Sequence, residues 1–365
     1  MRRFITTPLA VLAALLFAAI VAGPHVADAC AGLIGSNGAV NLARTSTLAA
    51  YHDGVEHYVT AFQFQGGGGQ FGTLIPLPGE PSKVERGGGW TLQRLAIETR
   101  PPQKELAFAL AANSAGSRAQ VLQQVRIDAL DITVLKGGGP DVAAWAQEHG
   151  FHLSPDAPEV LDFYANRSPI FLAAVFDGDA ASARGQQVGD GTPVHITIPT
   201  SNPWVPLRIL GLGKQPLDRV DADVYLLTDN EPALLPAPGE GTFGTGSGGR
   251  PIPPLALTYN QQASKLLLDD LRADAGMSWV PQSGWLTRLQ VDSAVSDLRF
   301  DLAVDATGRA APSPVAAGLE PGANAVPRMP AGDGLPASLG WLTLAGAGLV
   351  FFVIMLRRRP RADLP

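Results

Sequence analysis

The chain has 365 residues, 46% of them hydrophobic, with Lys+Arg 27 against Asp+Glu 33 and a formal net charge of −6. That is enough apolar material for a buried core, while an acidic surface repels phosphate backbones and excludes nucleic acid as an expected partner. A single cysteine excludes an internal disulfide, so stability has to come from packing.

At the start, Arg2 and Arg3 precede an apolar run from Leu9 to Ala22, and Ala27-Asp28-Ala29 forms a small-residue cleavage box. Residues 1–29 therefore read as an export signal that is removed. Cleavage makes Cys30 the first residue. A lipid-attachment box wants a Leu-like residue where Ala27 stands, and Asp28 intervenes, so Cys30 is read as unmodified, with lipidation or an intermolecular disulfide as alternatives. Without the signal and the last 31 residues, six arginines and two aspartates are lost and the charge becomes about −10.

From Asn41 the pattern is of strands: "LARTSTLAAY" and "VEHYVTAFQFQ" flank His52-Asp53-Gly54, an Asp-Gly hairpin turn, with Tyr58, Phe62 and Phe64 on one face. "FGTLIPLP" reads as a third strand stopped by Pro76 and Pro78. "WTLQRLAIETR" places Leu92, Leu95 and Ala96 at helical spacing. Further on, "AQVLQQVRIDALDITVLKG", "IFLAAVFDG", "PVHITIPT", "PLRILGLG" and "DVYLLTDN" are strand-like, whereas "DVAAWAQEHG" and "PEVLDFYANR" are helical. Residues 232–256 form a Pro/Gly-rich connection that leaves open a division into two lobes. "ASKLLLDDLRADAG" then predicts a helix, and "LTRLQVDSAVSDLRFDLAVDA" ends in a strand. Residues 30–305 are thus expected to be an extracytoplasmic α+β domain with a mixed, mainly antiparallel sheet and short helices.

Small residues and prolines dominate 306–334, a composition that reads as a stalk. Leu335–Leu356 carries no charge over 22 residues, the length of one transmembrane helix. Trp341 suits the outer interface, and Arg357, Arg358 and Arg359, followed by Arg361, keep the tail 357–365 in the cytoplasm. The expected location is the cell membrane, crossed once, with the domain outside and the lipid bilayer as a partner. "LPASLG" resembles a wall-sorting signal, but Ser338 and Leu339 depart from it. The small residues around Gly346 and Gly348 suit either a helix–helix contact in a larger complex or an ordinary span.

Chemistry is harder to find. Gly67, Gly69 and Gly72 match G-x-G-x-x-G in form, yet Thr73-Leu74-Ile75-Pro76 continue as a strand where a dinucleotide site needs a helix. His52 and His57 flank a turn with Asp53 and Glu56, and His149 and His152 lie at a helix end, but none has metal-ligand spacing. Ser247 lacks the glycine two positions earlier that a nucleophile elbow requires. Asp177 with Asp179, or Asp218, Asp221 and Asp223, suggest calcium without the closing Glu of a calcium loop. Asp269 and Asp270 are neighbours on a helix and point apart. No catalytic, cofactor-binding or metal residue is assigned, and no cofactor is expected. Should a hydrolase exist here, His57 or His195 with a shifted carboxylate would form it.

Several motifs together point to a family. "FGTLIPLPGEPSKVE" with Pro76 and Pro78, "WAQEHGFHL" with Trp145, "LDFYANRSPIFLAAV", "TIPTSNPWVPLRI" with Pro203 and Pro206, and "WLTRLQ" with Leu286, Thr287 and Arg288 resemble the bacterial domain of unknown function 2330 family over most of residues 30–303. Cys30-Ala31 departs from the Cys-Gly start of many members, and the second cysteine is missing. The resemblance implies an exported, membrane-anchored module without an assigned activity. The expected function is accordingly that of a ligand-binding, partner-binding or envelope-organising domain, with an unknown protein or small molecule as the ligand and an exported hydrolase as the alternative.

Overall fold

A computed structural model describes residues 32–35, 45–63, 70–100, 120–186, 191–240, 254–308 and 310–321. The export signal, Cys30, Gly67, Gly69, Ser247 and the proposed span with Trp341, Arg357, Arg358 and Arg359 lie outside the described residues. Among the described residues no helix is long and apolar enough to cross a membrane.

The hairpin expected at Asp53-Gly54 joins Thr45–His52 (β2) to Val55–Gln63 (β3). Both turn residues have positive φ, 50° and 79°, the conformation that Asp-Gly tolerates and that suits the twist of paired strands. These two strands sit inside an eight-stranded sheet. Its order is β13 (Gly239–Glu240), β14 (Leu255–Gln262), β15 (Trp285–Ala294), β11 (Arg219–Thr228), β2, β3, β9 (Gly191–Pro199) and β5 (Lys83–Arg86). Neighbours are antiparallel except for β13 with β14 and β11 with β2. β15 follows the Pro/Gly-rich segment yet pairs over ten residues with β11, which precedes it. Chain from both sides of 232–256 thus shares one sheet.

A second, wholly antiparallel sheet has the order β1 (Gly32–Gly35), β4 (Gln70–Pro76), β8 (Ile170–Asp177), β7 (Leu130–Lys136) and β6 (Gln120–Ile127). A small sheet of β10 (Trp204–Val205), β16 (Leu302–Asp305) and β12 (Ala233–Leu235) continues that layer: Val205, Leu302 and Val304 face one cluster, Trp204 and Ala303 the other.

Alternation along the strands explains the stacking. In β11, Val220, Ala222, Val224 and Leu226 enter the core between the sheets, whereas Tyr225 and Leu227 face outward under helices. In β8, Ile170, Leu172, Ala174 and Phe176 enter the same core, while Phe171, Ala173 and Val175 face the other way. Burial on both faces is why "IFLAAVF" is continuously apolar. The outer face of the five-stranded sheet is covered by α2 (Gly139–Glu148) and α3 (Ala157–Ala165), led by Trp145 and Tyr164; that of the eight-stranded sheet by α1 (Thr91–Glu98) and α5 (Lys265–Ala273), through Leu95, Leu267, Leu268 and Leu271. The result is helix, sheet, sheet, helix: an α+β fold with mixed, mostly antiparallel sheets and few short helices.

Some local expectations fail. "PLRILGLG" holds a 3-10 turn, Arg208–Gly211, because Leu207 N–H and Arg208 N–H both donate to the buried Asp301 and bend the chain away from a ladder. Asp177 caps the short helix α4 (Gly178–Ala183) by accepting from Ala180 N–H at 2.9 Å. Ala316 and Ala317, within the segment whose composition reads as a stalk, are buried against α3, with Ala316 accepting from Arg167.

Candidate functional site

Polar groups line up across the helix-covered face of the eight-stranded sheet. Strand pairing sets Ala50 opposite His57, Val59 opposite His195, and His195 opposite Glu85. Side chains at alternate positions share a face, so His52 of β2, His57 of β3, His195 of β9 and Glu85 of β5 form a diagonal file. His57 Nδ1 lies 2.9 Å from His195 Nε2, and His195 Nδ1 lies 3.5 Å from Glu85 Oε1. Lys83 pairs with the other Glu85 oxygen at 2.7 Å. Trp279, in the turns after α5, stacks flat on His57, with ring centroids 3.9 Å apart and planes 3° from parallel.

His195 is 1% exposed and His57 half-buried. Burial pushes His57 down to about 4, helped by His195 and His52. Burial likewise lowers His195 to about 4; Glu85 opposes the shift and Lys83 adds to it. Both rings are therefore neutral at pH 7, each with one N–H and one lone pair. At 3.5 Å the Glu85 contact is electrostatic and His195 Nδ1 makes no hydrogen bond, although the carboxylate still favours a proton on that nitrogen. With the proton there, Nε2 accepts from His57 Nδ1–H, and His57 Nε2 keeps its lone pair.

Thr197 Oγ1 lies 3.4 Å from the same His195 Nε2. Thr197, His195 and Glu85 thus stand in the order of nucleophile, base and orienting acid. His57 holds the lone pair at the shorter distance, however, and an imidazole that releases its proton near pH 4 is a weak base at neutrality. A depression of about 300 Å3 lies elsewhere, at the end of α2, lined by Gln147, Gly150, Phe151, His152 and Leu153. That depression and the titratable cluster do not coincide.

The other residues singled out in the sequence are dispersed. His52 pairs with Asp229 at 2.6 Å and Asp53 at 3.3 Å. Glu56 points between the sheets, on the opposite face of β3 from His57, so the four polar residues around the hairpin do not converge. His149 Nδ1–H donates to Trp145 O at 2.6 Å, and its ring stacks on Trp145. Asp218 accepts from Gln215 N–H, Asp223 is paired with Arg288, Asp269 with Lys265 and Arg272, and Asp270 with Arg94. Gly72 lies in β4. Among the described residues no three His, Cys, Asp or Glu groups are placed to hold a metal.

A second buried cluster was not legible in the sequence. Asp301, fully buried, receives Arg167 Nη2 at 2.5 Å, Tyr164 Oη at 2.9 Å and the Leu207 and Arg208 amides; Tyr164 Oη in turn accepts from Ile209 N–H. Burial and the neighbouring Asp301 hold the Tyr164 phenol well above its usual range. Such full pairing marks a structural network. Its partners come from α3, the 3-10 turn and β16's approach, which no local motif connects.

Residues 24–233 match the bacterial family described as "Uncharacterized protein conserved in bacteria (DUF2330)". The chain belongs to this family. The match agrees with the motifs around Pro76, Pro78, Trp145, Pro203 and Pro206, and takes in His52, His57, Glu85 and His195 of the file. Trp279, Arg288 and Asp301 of this DUF2330 chain lie after it. No curated relative matches the sequence. Among solved structures, a mutated baculovirus P35 after caspase cleavage is 6% identical, with a TM-score of 0.38 over 73% of this chain and 98% of that one. A second such structure is 8% identical at 0.38, over 72% and 99%. Baculovirus P35 itself is 9% identical at 0.37, over 72% and 96%. Similarity of this degree supports nothing about the DUF2330 chain's function.

Proposed function

We propose that this DUF2330 chain is an exported single-pass membrane protein whose domain, residues 30–321, is a binding or envelope-organising module held outside the bilayer by a stalk at 322–334. The observation that carries the reading is the uncharged run Leu335–Leu356, immediately followed by Arg357, Arg358 and Arg359. Its ligand is a protein or small molecule of the envelope. The neutral, Trp-covered histidine pair supports a non-catalytic role, because its bases are weak and one of its lone pairs is already engaged.

Protease treatment of spheroplasts making the chain with a C-terminal epitope tests this topology. The expected outcome is a detergent-extractable protein that external protease reduces to a small, membrane-protected, tag-bearing fragment. A soluble chain, or a tag destroyed from outside, overturns the reading.

The Thr197–His195–Glu85 order favours a second reading, an exported hydrolase with Thr197 as nucleophile. A fluorophosphonate probe separates the two: labelling that disappears in Thr197→Val supports the hydrolase, and absence of labelling supports the binding module.

A further inference from the structure

We propose that His57 and His195 form an acid-operated latch, which holds the Trp279 turn against the sheet and releases it when the pair takes up two protons. The latch is a property of the folded domain and does not depend on where the chain resides. Hydrogen-bond chemistry dictates the behaviour. The neutral pair shares one hydrogen between Nδ1 of His57 and Nε2 of His195 across 2.9 Å. One added proton is tolerated, since whichever ring becomes imidazolium donates to the lone pair of the other. A second leaves both nitrogens carrying hydrogen across the same gap, and two cations with ring centroids 5.1 Å apart. The rings must then part. Trp279 lies over both, with centroids 3.9 Å from His57 and 5.0 Å from His195, so a separation of the rings removes the surface on which the indole rests.

The surroundings make this turn the movable part. His57 and His195 are fixed to central strands of an eight-stranded sheet, whereas Trp279 sits in consecutive turns closed by Met277 N–H to Asp274 O and Val280 N–H to Met277 O. The indole N–H is buried without a hydrogen-bond partner, so nothing polar ties the ring down. Of the charged groups facing the pair, Glu85 favours a proton on His195 and Lys83 opposes it, while His52, from β2, opposes protonation of His57. On the turn's own side, Asp274 is occupied by the Gly89 and Trp90 amides and Thr91, and Arg272 by Asp269 and the carbonyls of Val280 and Pro281. Neither reaches in to neutralise a charge on the pair. Burial lowers both rings to about 4, against an ordinary value near 6.5 once solvated, so the released form binds protons more tightly and acid drives release. Release bares apolar surface from Met277 and Val280, and binding at this face becomes dependent on pH.

The test is acrylamide quenching of tryptophan fluorescence between pH 7.5 and 4, on the detergent-solubilised full chain and on Trp279→Phe, whose difference isolates Trp279. The expected result is that Trp279 becomes quenchable between about pH 6 and 4 while far-UV circular dichroism holds steady. Glu85→Gln moves the transition to lower pH and Lys83→Met moves it to higher pH. Constant protection of Trp279 down to pH 4, exposure only together with loss of circular dichroism, or a transition that neither variant moves would overturn the latch.

Discussion

Glu56 is a carboxyl sealed between the sheets, 1% exposed, with neither oxygen hydrogen-bonded. Burial raises it to about 8; the Trp204 backbone opposes the shift from beyond good hydrogen-bond geometry. The folded chain therefore keeps a proton that the unfolded chain gives up near 4.5. Between those values the native state binds more protons, so stability falls as pH rises, by about 1.4 kcal/mol per pH unit, and levels off above about 8. Glu56→Gln removes the ionisation but keeps the shape. Thermal melts should show the variant more stable than the parent at pH 8.5, with the difference shrinking to near zero at pH 4.5; equal melting temperatures at pH 8.5 would refute the assignment. The sequence placed Glu56 beside His57 in a polar group around a turn. Period-two alternation sends adjacent residues to opposite faces, and this is what separates them.

At the scale of elements, Asp274 ties together the two helices over the eight-stranded sheet, alongside the Arg94–Asp270 pair. Asp274 accepts from Gly89 N–H, Trp90 N–H and Thr91 Oγ1, closing the N-terminus of α1 from the far end of α5. No local cap was legible before α1, since Trp90 has no side-chain acceptor and the cap lies some 180 residues away. By contrast the cap of α5, Ser264 accepting from Leu267 N–H, is local, and that helix reads directly from "ASKLLLDDL". Asp274→Ala leaves buried donors at α1 unpaired and should cost about 2 kcal/mol in urea unfolding, whereas the exposed Asp269→Ala is expected to leave the urea midpoint nearly unchanged. Gly276 provides a sharper case. Its φ is +81°, and an added Cβ would lie 2.7 Å from Arg86 O, so Gly276→Ala is expected to lower the urea midpoint while Gly185→Ala, with open space around it, costs only its backbone strain. A null effect at Gly276 would show that the turn gives way easily.

For the whole molecule, three titratable groups shifted by burial shape one profile. The latched histidine pair contributes stability that is complete above about 6.5 and falls as pH drops, because the unfolded chain takes up protons that the buried rings refuse, until release of the Trp279 turn lets the folded rings take them up as well. Glu56 contributes the opposite slope between 4.5 and 8. Two histidines outweigh one carboxyl below 6.5, so the melting temperature is expected to peak near pH 6.5; a peak above pH 8 would contradict the sum. The Asp301 network ties the layers, and Asp301→Ala, which strands Arg167 in the interior, should destabilise by about 3–5 kcal/mol in urea titration. The class of the fold was legible because strand alternation and amphipathic helices are local signals. Neither the stacking of two sheets nor the meeting of His57, His195 and Glu85 could be read, because 138 residues separate the histidines and only strand register unites them.

The pairing of β11 with β15 has a bearing on where the chain can be cut. The family match ends at residue 233, before β14, β15 and β16, yet β15 lies inside the sheet against all ten residues of β11. A fragment ended at the family boundary would present β11 as a long bare edge, with Val224 and Leu226 on one side and Tyr225 and Leu227 on the other stripped of their neighbours. Edges of that kind recruit strands from other molecules. The smallest portion that folds without self-association is therefore set by hydrogen-bond partnership, and it reaches past residue 317, where Ala317 still accepts from Asp301 N–H.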